Sequence, residues 1–259
     1  MQTLSNVLNQ AIQLHQQGQL NAAKALYQAI LQQQPQHIGA LHLLGLICKE
    51  QGDSEQAIVL IQKSLDLFPN HAVANTNLGI IFHGQQRFIE AITCYDKALA
   101  VDANYVEAHY QRGNSLSALQ QFQAAIIEYQ TALKLKPNAA NIYCNLGNAF
   151  LDVEDYLAAL HSFDEALRLR PHYPEVYSNK GITLQALGDL DQALACYNQA
   201  ITLKPNYAKA LYNRGNLFSL RRQFQEALTD YQAAIHAQPN YAKAIASQGL
   251  ALQSLKRFN

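Results

Sequence analysis

Small and apolar side chains return along this chain in two alternating blocks, each with the spacing of one helical face. The repeating frame is as long as the interval from Pro35 to Pro69, and its positions are counted from the start of each unit. Positions 4, 7, 8 and 11 share one face of a first helix, and positions 20, 24 and 27 share one face of a second. The units run 4–37, 38–71, 72–105, 106–139, 140–173, 174–207 and 208–241, with a partial eighth at 242–259. Position 8 is Gly45, Gly79, Gly113, Gly147, Gly181, Gly215 and Gly249, with Ala11 in the first unit. Position 20 is alanine throughout (Ala23, Ala57, Ala91, Ala125, Ala159, Ala193, Ala227), and position 24 is aromatic except at Ile61. Pro35, Pro69, Pro137, Pro171, Pro205 and Pro239 fall on the same grid, where proline closes the second helix. A glycine inside a helix costs about 1 kcal/mol relative to alanine. Its recurrence therefore predicts a paired helix passing too close for a Cβ. The alanine at position 20 is the expected neighbour, and the ring at 24 is expected to fill the wider space beside it.

The stretch NIYCNLGNAFLDVEDYLAALHSFDEALRLRP displays the pattern in full, with Tyr143, Leu146, Gly147, Phe150, Ala159, Phe163, Ala166 and Pro171. It resembles the tetratricopeptide repeat family, and the resemblance extends over essentially the whole chain. What it implies is an all-α fold: a right-handed superhelical solenoid of helix-turn-helix repeats, one solenoid over residues 1–259. The first helix of each repeat would line the inner wall, where the family binds proteins or peptides. The sequence departs from the pattern in lacking tryptophan at position 4 and in carrying Gln10, Arg112, Lys180, Arg214 and Gln248 where the family has leucine at position 7. Long polar side chains can bury their stems and expose their ends, so these departures bear on the chemistry of the groove.

Positions 2, 6, 9 and 13 share a second face of the first helix. Position 6 carries Asn9, Asn77, Gln111, Asn145, Asn179 and Asn213, position 9 adds Asn114, Asn148 and Asn216, and Tyr110 and Tyr212 stand at position 5. Asparagine is a mediocre helix former, so its recurrence calls for a reason. A carboxamide both donates and accepts, which matches the backbone of an extended peptide. These residues, with Lys209, are the candidate partner-binding set. The alternative is that the amides solvate the wall or stitch neighbouring repeats together. Asn148, Asn179 and Lys209 also match three places of the carboxylate clamp found in chaperone-binding relatives. Cys144 and Asn213 stand where that clamp needs cations, which removes most of the attraction for a carboxylate.

Lysine plus arginine equals aspartate plus glutamate at 19 each. That balance argues against a nucleic-acid or acidic-lipid partner. Cys48, Cys94, Cys144 and Cys196 are far apart and read as reduced small hydrophobes, which points to the cytoplasm. No apolar run reaches membrane-spanning length. His15, His42 and His83 are placed near the groove without metal-ligand spacing, and no nucleotide, hydrolase or metalloprotease motif is present. The expectation is a non-catalytic binding module with no cofactor and no metal, whose partner is a protein or an extended peptide.

Two alternatives stay open. The opening repeats are similar to those preceding the catalytic domain of bacterial O-linked N-acetylglucosamine transferase-like proteins, so the chain would be the recruiting arm of a larger glycosyltransferase. Alternatively it is a scaffold that self-associates end to end. Phe258 falls in the register that opens a second helix elsewhere, which predicts an array cut through its eighth repeat, with Ile245, Leu250 and Leu252 left on an uncovered face.

Overall fold

The computed structural model describes residues 3–258, with side chains through 256. Fifteen α-helices and no strands are present among them. Contacts divide the chain into two compact units, Met1–Leu135 and Lys136–Asn259. The first holds α1 (Leu4–Gln16), α2 (Leu20–Gln33), α3 (Ile38–Glu50), α4 (Ser54–Leu67), α5 (Ala72–Gly84), α6 (Phe88–Val101), α7 (Val106–Ala118) and α8 (Phe122–Leu135). The second holds α9 (Ala140–Asp152), α10 (Tyr156–Leu169), α11 (Pro174–Ala186), α12 (Leu190–Leu203), α13 (Ala208–Leu220), α14 (Phe224–Ala237) and α15 (Ala242–Phe258). Odd-numbered helices are the first helices of repeats, and even-numbered helices the second. Within each unit the two helices of a repeat pair most extensively with each other, and the second then packs on the first helix of the next repeat. Within each unit, successive first helices also touch, as in α3–α5–α7 and α9–α11–α13–α15, whereas second helices do not approach one another to the same degree. The first helices are thus the more closely spaced layer.

The recurring glycine has a more specific reason than the sequence pattern predicts. A Cβ built on Gly147 would lie 2.5 Å from Cε1 of Phe163, and one on Gly113 would lie 2.6 Å from Cε1 of Tyr129. The equivalent rings of Tyr95, Tyr197 and Tyr231 crowd Gly79, Gly181 and Gly215. The glycine is therefore a seat for the aromatic ring at position 24. Carbonyls of the alanines at position 20 stand close as well, Ala57 O at 3.2 Å from the Cβ place of Gly45 and Ala227 O at 3.3 Å from that of Gly215. Those rings are fully buried or nearly so and form the centre of each hairpin.

Seven turns close the hairpins with one device. The residue at position 15 takes a left-handed backbone: Gly18, Gly52 and Gly188, but also Gln86, Gln120, Glu154 and Arg222. The next amide then bonds back to the carbonyl five residues earlier, as in Gln19 N–H to Leu14 O and Gln121 N–H to Leu116 O, both 2.9 Å. This is a Schellman closure, which glycine makes cheaply and other residues make at a cost. The eighth equivalent, Lys256, does not adopt it. The expectation that Phe258 opens a new helix is corrected, because α15 continues unbroken to Phe258. A left-handed residue is strained unless a returning helix packs back and holds it, and plain helix is the cheaper conformation for Lys256.

Candidate functional site

The wall of first helices carries the candidate residues in both units, but they do not bond down a single position. In the second unit, Asn179 on α11 donates through Nδ2 to Asn148 Oδ1 on α9 at 2.7 Å. Its own Oδ1 accepts from Lys209 Nζ on α13 at 3.0 Å. Three successive first helices are joined by this relay, although Asn179 is only 7% exposed. Asn148 also directs Nδ2 toward Cys144 Sγ. Asn213 donates to Ser178 Oγ at 3.5 Å, and Asn216 accepts from the buried Tyr231 hydroxyl at 2.9 Å. Tyr212 packs between the rings of Tyr231 and Tyr241, at centroid distances of 6.1 and 5.1 Å. Asn145 is half-buried on α9. The amides therefore link position 6 of one repeat to position 5 or 9 of the preceding one. Neighbouring helices are offset along their axes, so equal positions do not face each other.

The first unit repeats this in a looser form. Asn77 Nδ2 lies 3.0 Å from His42 Nε2, which makes that imidazole nitrogen an acceptor. Gln111 donates to Glu107 and accepts from Asn114. Asn114 in turn accepts from the Tyr129 hydroxyl, and Tyr110 tilts against the Tyr129 ring. Asn9 is exposed on α1. The three histidines placed near the groove have separate partners: His15 with Glu50, His42 with Asn77 and His83 with Ser115. Among the described residues no group of three metal-ligating side chains forms.

Electrostatics follow burial. Desolvation, with His71 beside it, pushes the His42 imidazole down to about 4. Burial raises the Cys144 thiol, and it raises the Asp152 carboxyl against the opposing pull of Lys209. With the relay occupied, the hydrogen-bonding groups that α13 can still offer a ligand include two Lys209 protons, Asn213 Oδ1 and Asn216 Nδ2. These three residues sit at i, i+4 and i+7 of α13 and so share one face.

The charged residues at position 7 do not bear on this wall. Arg112 on α7 reaches Asp96 of α6 at 3.0 Å and Glu128 of α8 at 3.1 Å, and His109 completes the Glu128 site at 2.7 Å. Lys180 on α11 pairs with Asp164 of α10. Arg214 on α13 grips Asp230 of α14 with two 2.7 Å bonds and Asn198 of α12 with a third. Arg112 and Arg214 are thus rungs between the second helix of their own repeat and that of the preceding one, and Lys180 holds the second helix of the preceding repeat. The signal was present in the sequence as acids or amides at positions 23 and 25 of successive units, which the reading of position 7 as groove chemistry overlooked.

No curated protein matches the sequence. Among solved structures, YrrB, described as a tetratricopeptide protein with an unusual peptide-binding site, is 24% identical; it aligns over 73% of this chain and 97% of its own, with a TM-score of 0.59. PilF of Pseudomonas aeruginosa is 23% identical over 82% of this chain and 96% of its own, at 0.70. A tetratricopeptide repeat protein from Parabacteroides merdae covers 96% of this chain and 98% of its own, at 17% identity and 0.73. These likenesses show the fold alone. Family profiles match as TPR repeat over residues 81–120, 113–153 and 183–220, and as tetratricopeptide repeat over 14–76, 140–173 and 208–241. A helical hairpin that returns at a constant interval, each with an aromatic or aliphatic side chain seated on the paired helix, thus carries the profile matches along most of its length, and the chain belongs to the tetratricopeptide repeat family.

Proposed function

We propose that the chain holds an extended segment of a partner protein against its wall of first helices, and that α13 carries the principal contacts. The observation behind this reading is the Asn148–Asn179–Lys209 relay. It fixes side chains from three helices at the expense of only part of their hydrogen-bonding capacity. The open set on α13 combines donors and an acceptor, which suits peptide backbone. The tyrosines that flank it at Tyr212 and Tyr241 offer rigid apolar contact with a polar tip. YrrB, with its peptide-binding site, is a tetratricopeptide protein of similar fold. The test is to select peptides on the immobilised chain and measure their affinity by fluorescence anisotropy for the parent and for Lys209→Gln/Asn213→Ala. Both residues lie off the helix core, so circular dichroism should match the parent. The reading expects at least a tenfold loss of affinity, about 1.4 kcal/mol. Unchanged binding in the double variant would refute it.

A second reading rests on α15, where Ile245, Leu250 and Leu252 are 47%, 65% and 47% exposed. An uncovered apolar helix face favours self-association. Light scattering should show mass rising with concentration, and Leu250→Glu/Leu252→Glu should abolish the rise. A strict monomer at high concentration excludes this reading.

A further inference from the structure

A cleft of about 1050 Å³ in the first unit lies between α4 and α6 and is floored by α5. Its position has a meaning within the repeat. Gln62, Asn75, Leu78 and Cys94 all line it. Moving each forward by one repeat gives Asp96, His109, Arg112 and Glu128, the four members of the neighbouring ion-pair rung. At the cleft the cation of that rung is replaced by leucine, its two carboxylates by Gln62 and Cys94, and its histidine by Asn75. The equivalent place in the second unit is filled twice, by Lys180 with Asp164 and by Arg214 with Asp230 and Asn198.

The walls still carry oxygen acceptors, one at the Asp96 place in Gln62 and others beside it in Asp66, Asn75 and Thr93. Gln62 spends its amide nitrogen on Asp66. Asn75 spends its nitrogen on the carbonyls of Pro69 and His71, and Thr93 gives its hydroxyl proton to Ile89 O. What these side chains can still offer an occupant is mainly oxygen: Gln62 Oε1, the second carboxylate oxygen of Asp66, Asn75 Oδ1 and the lone pairs of Thr93. Beneath them Leu65, Leu78 and Phe82 form an apolar floor. Glu90 is already held by Arg87 through both oxygens, and Lys97 is the cation of the wall.

We infer that this cleft is a docking site for an arginine side chain presented by a partner protein. An arginine brings an apolar stem for the floor and five donors in a planar fork for dispersed acceptors, and it has no acceptor of its own that would conflict with them. Lysine, with three donors at one point, matches the spread oxygens less well. The intramolecular precedent is Arg214, whose fork takes both carboxylate oxygens of Asp230 and an amide oxygen of Asn198.

The test is amide chemical-shift titration of the full chain with the capped peptides Ac-Gly-Arg-Gly-NH2, Ac-Gly-Gln-Gly-NH2 and Ac-Gly-Glu-Gly-NH2. The arginine peptide should shift residues of α4, α5 and α6 that line the cleft, with an affinity on the order of millimolar for so small a ligand, and the other two should not. Asp66→Asn should weaken binding and Lys97→Gln should tighten it; both side chains are exposed, so neither change threatens the fold. Leu78→Arg, which supplies the rung cation from within, should abolish binding. No shifts with the arginine peptide, stronger binding of the glutamate peptide, or opposite signs at Asp66 and Lys97 would each overturn the inference.

Discussion

If the glycine at position 8 is a seat for a ring, replacing Gly147 with alanine sets two known effects against each other. Alanine gains about 1 kcal/mol of helix propensity. Its Cβ, however, would stand 2.5 Å from Phe163 Cε1 and 2.7 Å from Cδ1, and the ring would have to retreat by nearly an ångström to reach ordinary contact. Phe163 has no exposed surface and is packed with the equally buried Ala159 and Ala166, so the retreat is resisted. Overpacking of this kind costs about 1–3 kcal/mol. The net expectation is a destabilisation of about 0–2 kcal/mol, the difference of those two terms. Gly249 is the internal control. Nothing lies within 4 Å of its would-be Cβ, so Gly249→Ala should show the propensity gain alone. Gly45→Ala should also lose stability relative to Gly249→Ala, because Cγ1 of the buried Ile61 lies 2.7 Å and the backbone carbonyl of Ala57 3.2 Å from its would-be Cβ. Native hydrogen exchange localises each effect to its own hairpin, which matters in repeat arrays that do not unfold in one step. Protection in α9 and α10 should fall for Gly147→Ala and recover when Phe163→Leu is added. The first repeat shows that a tyrosine and an alanine can coexist in this register, since Ala11 and Tyr27 are both fully buried. Were Gly147→Ala to stabilise as much as Gly249→Ala, the ring-seat argument would be wrong.

Gln120 holds a left-handed turn at φ 59°, so Gln120→Gly should raise stability by about 1 kcal/mol, read from thermal melts. The Tyr27 hydroxyl is buried without a hydrogen-bond partner, and Tyr27→Phe should be neutral or stabilising by about 1 kcal/mol; a clear loss of stability would mean the hydroxyl is satisfied. Asp230→Ala should cost about 3 kcal/mol by leaving Arg214 without its carboxylate, whose side chain is 5% exposed; removing Asp191, the 93% exposed partner of Arg221, should leave melting unchanged. His42 titrates near 4 in the fold and near 6.5 when unfolded, so the unfolded state takes up the proton first. Its contribution is complete above pH 6.5 and falls as pH drops toward 4, by about 2 kcal/mol at pH 5. Melting curves of His42→Gln should show that slope removed.

The linear pattern by itself determined that this chain is a stack of helical hairpins. Spacing on one helical face and proline at a constant interval act locally, so the alternation of first and second helices could be read from nearby residues, though not the unbroken run of α15 to Phe258. That the asparagines share one side of the first helices was legible for the same reason, since a helix of known register puts i, i+4 and i+7 on one side. Which atoms those amides bind was decided only by tertiary structure. The axial offset between successive helices sends Asn179 to Asn148 rather than to Asn145, and no property of either residue encodes that offset. The ring seated on Gly147 and the cation of Arg112 turned toward Asp96 and Glu128 are contacts between helices, set by the angle and distance at which the helices pack. The open cleft over Leu78 belongs to the same class. A leucine at position 7 looks ordinary along the chain, and it becomes a site only where the neighbouring helices leave a volume that a longer side chain fills elsewhere.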